Sequence, residues 1–293
     1  MITSQIKEKL INLEDLLKDS IVEQEEAINK LSSSLRRSFL LLGKRKKPLA
    51  SFLFLGPTGV GKTETAKAIA QTFFSAADRE NLNYLIRFDM SEYQSKSDIP
   101  KLIGDSIYHE PGQLSKAIRE NPYGVLLLDE IEKADHDLLN IFLTILDEGY
   151  FTDGEGKRVD CKNLVIIATS NAAASEIYQN KNISIMDYLI EHHVFSPEFL
   201  NRYDGVVVFR PLSEESIFKI ANKMIEKIVD DIQSMYGIKV KISEKTLENI
   251  VSKSKDSRFG ARNLDRVIRD DVEDKISKLI LQGKASEKDM IIL

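Results

Sequence analysis

The sequence predicts an α/β protein: a large domain built on a parallel sheet covered by helices, then a smaller, mostly helical C-terminal domain. Three observations carry this. From Ser51 onward, short apolar runs alternate with longer amphipathic ones, and apolar strands separated by crossover helices imply a parallel sheet buried on both faces. After Pro211 the strand-like runs nearly cease while helical periodicity continues. With 293 residues and 42% hydrophobic content, the chain is long enough for one large and one small core.

The elements follow in order. Residues 5–42 read as helical, because Ile6, Leu10, Leu13 and Leu17, then Ala27, Ile28, Leu31 and Leu35, recur at helical spacing. Gly43 ends this region, and Lys44 to Pro48 is a polar linker. The stretch from Arg36 to Lys47 carries Arg36, Arg37, Lys44, Arg45, Lys46 and Lys47. It reads as a solvated loop ahead of a domain, with a subunit contact or a phosphate-facing role as the alternative. The expected strands are Ser51–Leu55, Tyr84–Phe88, Val125–Leu128, Leu164–Thr169 and Val206–Phe209. Helices are expected at Lys62–Phe74, Gln113–Arg119 and Leu138–Asp147. Beyond Pro211, Ser213–Met235 is a long amphipathic stretch, Ser243 and Gly260 open two more, and Val240 and Met290–Leu293 supply small edge strands. The domain division is a helical segment and linker over 1–48, a large domain over 49–210 and a small domain over 211–293.

Composition excludes several classes. The net charge of −5 does not favour nucleic acid or an anionic membrane. No apolar run approaches the roughly 18 residues of a membrane span, and the N-terminus lacks a signal-peptide pattern. Cys161 is the single cysteine, so no intramolecular disulfide forms, which fits a reducing compartment. The chain reads as cytoplasmic, with no nucleic-acid or membrane partner.

The chemistry begins at Gly56-Pro57-Thr58-Gly59-Val60-Gly61-Lys62-Thr63, which fits G-x-x-x-x-G-K-[ST] between an apolar strand and a helix. Glycines let the backbone turn its N–H groups toward phosphate oxygens, and the helix N-terminus adds positive potential there. Lys62 is placed on the β- and γ-phosphates and Thr63 on Mg²⁺, making ATP and Mg²⁺ the expected ligands. The run Val125–Leu128 ends in Asp129-Glu130, and ligands of open α/β sheets bind beyond such strand ends. Asp129 is the candidate for coordinating Mg²⁺ through water, and Glu130 for polarising the attacking water. Asn171, past the Leu164–Thr169 run, either hydrogen-bonds that water or the γ-phosphate, or serves as a helix N-cap.

The P-loop, Asp129-Glu130 and Asn171, in that order, resemble the AAA+ superfamily. Further segments sharpen the resemblance: Asp89-Met90-Ser91-Glu92-Tyr93, Leu128 to Ala134, Thr152-Asp153-Gly154, Pro197 to Arg202 and Phe259-Gly260-Ala261-Arg262. Together they resemble the second ATPase module of the Clp protein-remodelling family, the ClpA, ClpB and ClpC group, from about Ile21 to the C-terminus. The resemblance implies a P-loop AAA+ large domain with a helical C-terminal lid, ATP hydrolysis, and a homo-oligomeric, hexameric ring acting on protein substrate. It implies that Arg202 is an arginine finger reaching the neighbouring subunit's site, and that Arg262 is a phosphate contact from the small domain. Residues alone would read Arg202 as a surface arginine and Arg262 as a helix-surface charge.

Two departures stand out. The family's Gly-aromatic-Val-Gly pore segment is missing from Gly104-Asp105-Ser106-Ile107-Tyr108-His109-Glu110-Pro111-Gly112-Gln113-Leu114, where Tyr108 matches only the family's later tyrosine and Ile107-Tyr108 is the available substitute. Residues 172–195 contain no Ile-Gly-Phe-like tripeptide, which argues against docking to a ClpP-type peptidase and leans to the ClpB side. The leading expectation is an ATP-driven protein remodeller of the unfoldase or disaggregase type. The alternative is a nucleotide-controlled assembly factor that forms a ring without threading polypeptide. A nucleic-acid motor is disfavoured by the acidic charge and the lack of an interleaved basic–aromatic surface.

Overall fold

The computed structural model describes residues 4–40, 46–74, 84–105, 107, 110–179, 184–254, 261–283 and 290–292. They divide into two compact units, Met1–Gly56 with Gly61–Phe209, and Pro57–Val60 with Arg210–Leu293.

The first unit is organised by five strands: β1 Ala50–Leu55, β2 Leu85–Asp89, β3 Gly124–Asp129, β4 Leu164–Ser170 and β5 Gly205–Val208. They pair in parallel in the order β2-β3-β4-β1-β5. The five apolar runs read from sequence are these strands, displaced by a residue at some ends, as expected where strand ends fray. Every residue of β1, β3 and β4 is buried, whereas β2 and β5 at the sheet edges are partly exposed. Continuous apolar runs therefore mark the central strands, as expected for a sheet covered on both faces. Helix Lys62–Phe74 packs on β3, burying Ala66, Ile69 and Ala70.

Ahead of the sheet, the expected helical region is three helices, Ser4–Ile11, Leu13–Ser20 and Glu25–Leu40. The second break has a backbone cause: Ile21 is extended and Glu23 is left-handed at φ 57. Leu13, Leu17, Ile28, Leu31 and Leu35 are all fully buried. The basic stretch is not wholly a loop. Arg36 and Arg37 lie on the third helix, where Arg36 pairs with Glu14 and Arg37 Nη2 donates to Ser34 Oγ at 2.9 Å. Lys47 pairs with Asp147 at 3.2 Å, while Lys44 and Arg45 lie outside the described residues.

Two antiparallel pairs had no sequence signal, since strands of two or three residues show no period. One joins Tyr150–Thr152 to Arg158–Asp160. The other joins Gly104–Asp105 to Glu110–Pro111 and closes the segment with the departed pore motif. A Cβ on Gly112 would stand 2.2 Å from the Leu102 carbonyl oxygen, so only glycine fits the base of this hairpin. At its tip Ile107 is 80% exposed, and Tyr108 lies outside the described residues.

The second unit contains helices Glu214–Tyr236, Glu244–Lys253, Ala261–Ile268 and Asp274–Leu281, with a π-helical turn at Arg269–Glu273 between the last two. Ser213 and Ser243 cap the first two by accepting the N–H of Ser216 and Thr246, each at 3.2 Å. Gly260 lies outside the described residues. The two expected edge strands form a parallel pair, Lys239–Lys241 with Met290–Ile292. The unit's core includes Ala221, Ile250, Leu264 and Val272, all fully buried. Among the described residues no helix is long and apolar enough to cross a membrane.

Cys161 follows the second strand of the Tyr150–Asp160 pair and is fully buried. Burial, helped by the Asp160 charge, pushes its thiol up to about 12. Thiolate is the reactive species, and a free cysteine ionises near 8.5. At pH 8 the native protein is therefore expected to hold a thiolate fraction about 10³-fold below that of a free cysteine. A colourimetric thiol assay should show slow reaction in buffer and fast, stoichiometric reaction in concentrated urea. The raised value also means that this group's contribution to stability is complete below the unfolded value and lost as pH rises toward 12.

Candidate functional site

β1 runs through the sheet between β4 and β5, and the loop after it is anchored at both sides. Gly56 N–H donates to Ser170 O at 3.2 Å, and Phe209 N–H donates to Leu55 O at 2.7 Å. Gly56 has φ +149, and a Cβ there would stand 2.5 Å from the Phe209 carbonyl oxygen. A side chain is excluded on both counts. Pro57 and Val60 are buried, and Thr58 and Gly59 are partly exposed. Gly59 O accepts the N–H of Ala261 at 3.0 Å, a contact within the second unit.

The loop passes through Gly61 into helix Lys62–Phe74, where Gly61 O accepts both the N–H and the hydroxyl of Thr65 at 2.8 Å. Lys62 is buried, with only 8% exposure. A buried ammonium needs acceptors, and Lys62 Nζ donates to Gly56 O at 2.6 Å and to Asn171 Oδ1 at 2.9 Å. Thr63, half-buried, follows in the first turn. The first-turn N–H groups of a helix lack intrahelical partners and carry positive potential. The site thus combines a fixed cation, a helix start and a glycine turn, a donor set suited to phosphate oxygens.

The acidic side is built by β3 and β4. Register pairs Leu128 with Ala168, so Asp129 ends β3 beside Thr169. The Asp129 carboxylate is buried and held at both oxygens. Oδ1 accepts the Thr169 hydroxyl at 2.8 Å, and Oδ2 accepts Arg87 Nε–H from β2 at 2.6 Å. Glu130 then leaves the sheet in the left-handed region, φ 54 and ψ 50, which non-glycine residues rarely adopt. Its N–H donates to Thr169 Oγ1 at 3.2 Å, and its Oε1 accepts Asn171 Nδ2–H at 3.1 Å. Asn171 is itself placed by its backbone N–H, which donates to Glu132 Oε1 at 3.0 Å. The N-cap alternative fails for Asn171: the cap position of helix Ala174–Tyr178 is Ala173, and the Asn171 side-chain amide is engaged by Lys62 and Glu130.

The structure therefore brings Lys62, Asp129, Glu130 and Asn171 into one hydrogen-bonded network. Arg202 sits elsewhere, at the end of helix Pro197–Asn201, with Nε 2.6 Å from Asp147 Oδ2 and Nη2 3.1 Å from Glu198 Oε1. Arg262 is exposed in the first turn of helix Ala261–Ile268 of the second unit. Reading of the residues alone passed over Thr169, Arg87 and Glu132. Thr169 and Arg87 lie inside strands, where a threonine or arginine signals only strand or edge. The Glu132 in Asp129-Glu130-Ile131-Glu132 was visible as a charge without a role.

A magnesium nucleotide fits these residues. Mg²⁺ takes hard oxygen donors and is commonly shared between one or two protein groups and phosphates, and the Asp129 carboxylate and Thr63 hydroxyl are such donors. Among the described residues no group of three or more His, Cys, Asp or Glu could hold a metal ion.

Known proteins are similar to this chain over most of its length. Residues 47–206 match the family "AAA domain (Cdc48 subfamily)" and residues 212–293 match the "C-terminal, D2-small domain, of ClpB protein". The chain is 41% identical over 292 residues to the chaperone protein ClpB of Prochlorococcus marinus, covering 96% of this chain and 33% of the relative. It is 40% identical over 294 residues to the ATP-dependent Clp protease ATP-binding subunit ClpE of Lactococcus lactis, covering 94% and 38%. It is 39% identical over 300 residues to the corresponding subunit ClpC of Staphylococcus saprophyticus, covering 96% and 36%. The chain thus spans about a third of the length of the curated relatives it matches.

Proposed function

This chain belongs to the Clp family of AAA+ ATPases, and from that premise we propose that it is the ATP-hydrolysing subunit of a homo-oligomeric, hexameric ring that remodels protein substrates. One observation carries the hydrolytic part: the Lys62, Asn171, Glu130 chain of hydrogen bonds beside a buried Asp129. We also take residues 49–210 and 211–293 as the two domains, led by a helical segment over 1–48. The compact units and the two family matches support a division near residue 210.

Each residue has a role that follows from its chemistry. Lys62 and the Gly56–Gly61 turn hold the phosphates, while Thr63 and Asp129, the latter through water, hold Mg²⁺. When bound there, Mg²⁺ would supply positive charge to offset that of the phosphates. Glu130 takes up the proton of the attacking water, and Asn171 orients Glu130 and Lys62 toward the same point. Arg202 supplies a guanidinium to the neighbouring protomer's site, and Arg262 supplies one from the small domain. The Asp147 and Glu198 contacts of Arg202 hold it at a helix end on the large unit.

Polypeptide threading is a separate question from hydrolysis, and one feature supports the assembly-factor alternative. Gly104–Asp105 pairs with Glu110–Pro111, and the sequence between them lacks the family's Gly-aromatic-Val-Gly grip. The exposed Ile107 supplies an apolar knob, the minimum a grip requires, and supports the remodelling reading. The missing Ile-Gly-Phe-like tripeptide over residues 172–195 argues against a ClpP-type peptidase partner. An assay with a stable tagged protein separates the two readings: ATP-dependent unfolding supports the remodeller, and phosphate release without unfolding supports the assembly factor.

Two outcomes are expected. Glu130→Gln should retain nucleotide binding, lower kcat by about 10²–10⁴-fold and leave a larger ATP-bound assembly in light scattering. Normal turnover in that variant would remove Glu130 from the chemistry. Mixing Arg202→Ala subunits with Glu130→Gln subunits, each inactive alone, should restore part of the activity, because a site with an intact Glu130 then meets a neighbour with an intact Arg202. No gain on mixing would mean that Arg202 does not act across an interface.

A further inference from the structure

We propose that Thr169 is the positioning residue for both acidic groups of the site, acting through Asp129 and Glu130 rather than on the nucleotide. The inference rests on the ATPase reading above and adds a residue to it.

The hydroxyl of Thr169 both accepts and donates. It is buried, with 3% exposure. A backbone N–H can only donate, so Thr169 Oγ1 accepts from Glu130 at 3.2 Å. Its own proton then goes to Asp129 Oδ1 at 2.8 Å. One atom thus ties the metal-side carboxylate to the backbone of the water-side glutamate. It does so at the point where β3 leaves the sheet in a conformation that a residue with a side chain seldom holds, φ 54 and ψ 50 at Glu130. Such a conformation persists only where surrounding contacts over-determine it. Two bonds tie Glu130 to β4 and the residue that follows it: the Thr169 bond to its backbone and the Asn171 bond to its carboxylate.

The character of the donor matters as well. Asp129 Oδ2 is held by the half-exposed cation Arg87, a group that repels a second cation nearby. Oδ1 is held by a neutral hydroxyl, which orients the oxygen without competing for a divalent ion and leaves a lone pair for a metal-bound water. Lys62 Nζ donates directly to Gly56 and Asn171. Loss of the Thr169 hydroxyl therefore separates two properties. Phosphate affinity conferred by the Lys62 loop persists, while the Mg²⁺ contribution and turnover fall.

The test uses two pairs in the full chain that differ at the hydroxyl: the parent against Thr169→Val, and Thr169→Ser against Thr169→Ala. For each protein kcat and KM for ATP are measured, together with the Kd of a fluorescent non-hydrolysable ATP analogue in Mg²⁺ and in EDTA. The hydroxyl-free member of each pair is expected to show a kcat lower by about 10–100-fold, a loss of about tenfold in the Mg²⁺-dependent gain in affinity, and an EDTA Kd within about threefold of its counterpart. Equal kcat within both pairs overturns the proposal, and so does a loss of affinity that is as large in EDTA as in Mg²⁺. Should the valine variant lack a cooperative melting transition, the serine–alanine pair decides alone. Failure of both hydroxyl-free variants to fold overturns the proposal in favour of a purely structural threonine. A parent protein that binds no nucleotide sinks the ATPase reading itself, whereas a parent that turns over ATP with indifferent pairs sinks only the role of Thr169.

Discussion

Parallel register at the carboxyl end of the sheet is the constraint from which the site follows. Leu55 is level with Ser170, Leu128 with Ala168 and Asp89 with Asp129. Because parallel strands are joined by crossovers, all their chains leave at the same edge. The P-loop after β1, the acidic pair after β3 and Asn171 after β4 are therefore delivered to one edge from positions up to 115 residues apart in sequence, Gly56 to Asn171. A slip of one residue in either pairing would turn Asp129 or Thr169 to the opposite face. The apolar side chains of β1, β3 and β4, buried throughout, make such a slip costly.

On that edge the polar groups satisfy one another. Lys62 would carry a heavy desolvation cost if buried without acceptors, and the Gly56 carbonyl and Asn171 amide offset it. Asp129 is likewise held from two strands. Asn171 is bifunctional, its oxygen accepting from Lys62 and its nitrogen donating to Glu130. An amide with both an acceptor and donors can join a cation to an anion, whereas an ionised aspartate at the same place could only accept. Lys62 and Glu130 are thus linked through one side chain, the kind of preorganisation that the proposed catalysis needs.

The fold class and the five strands were legible because short apolar runs, set between turn residues and longer amphipathic stretches, fit buried strands by their length and flanks. The P-loop was legible because glycine spacing before Lys62-Thr63 has a specific physical purpose. Asp129 and Glu130 were legible by position, at the end of an apolar run. The N-terminal helices were less so: periodicity continued smoothly past Asn12 and Glu23, and the left-handed backbone at Glu23 leaves no mark in a hydrophobic pattern. Thr169, Arg87 and Glu132 escaped notice because their importance lies in partners 39 to 42 residues distant.

Residue order alone singled out the candidates for binding phosphate, holding a metal and handling a proton, since those capacities belong to the side chains and to local spacing along one loop or strand. Strand order, by contrast, was decided only in three dimensions. Placing β4 between β3 and β1 sets Asn171 between Glu130 and Lys62 and sets the Thr169 hydroxyl against Asp129. No local rule encodes that adjacency, because it arises from the shared burial of three apolar strands whose crossovers could each have packed elsewhere.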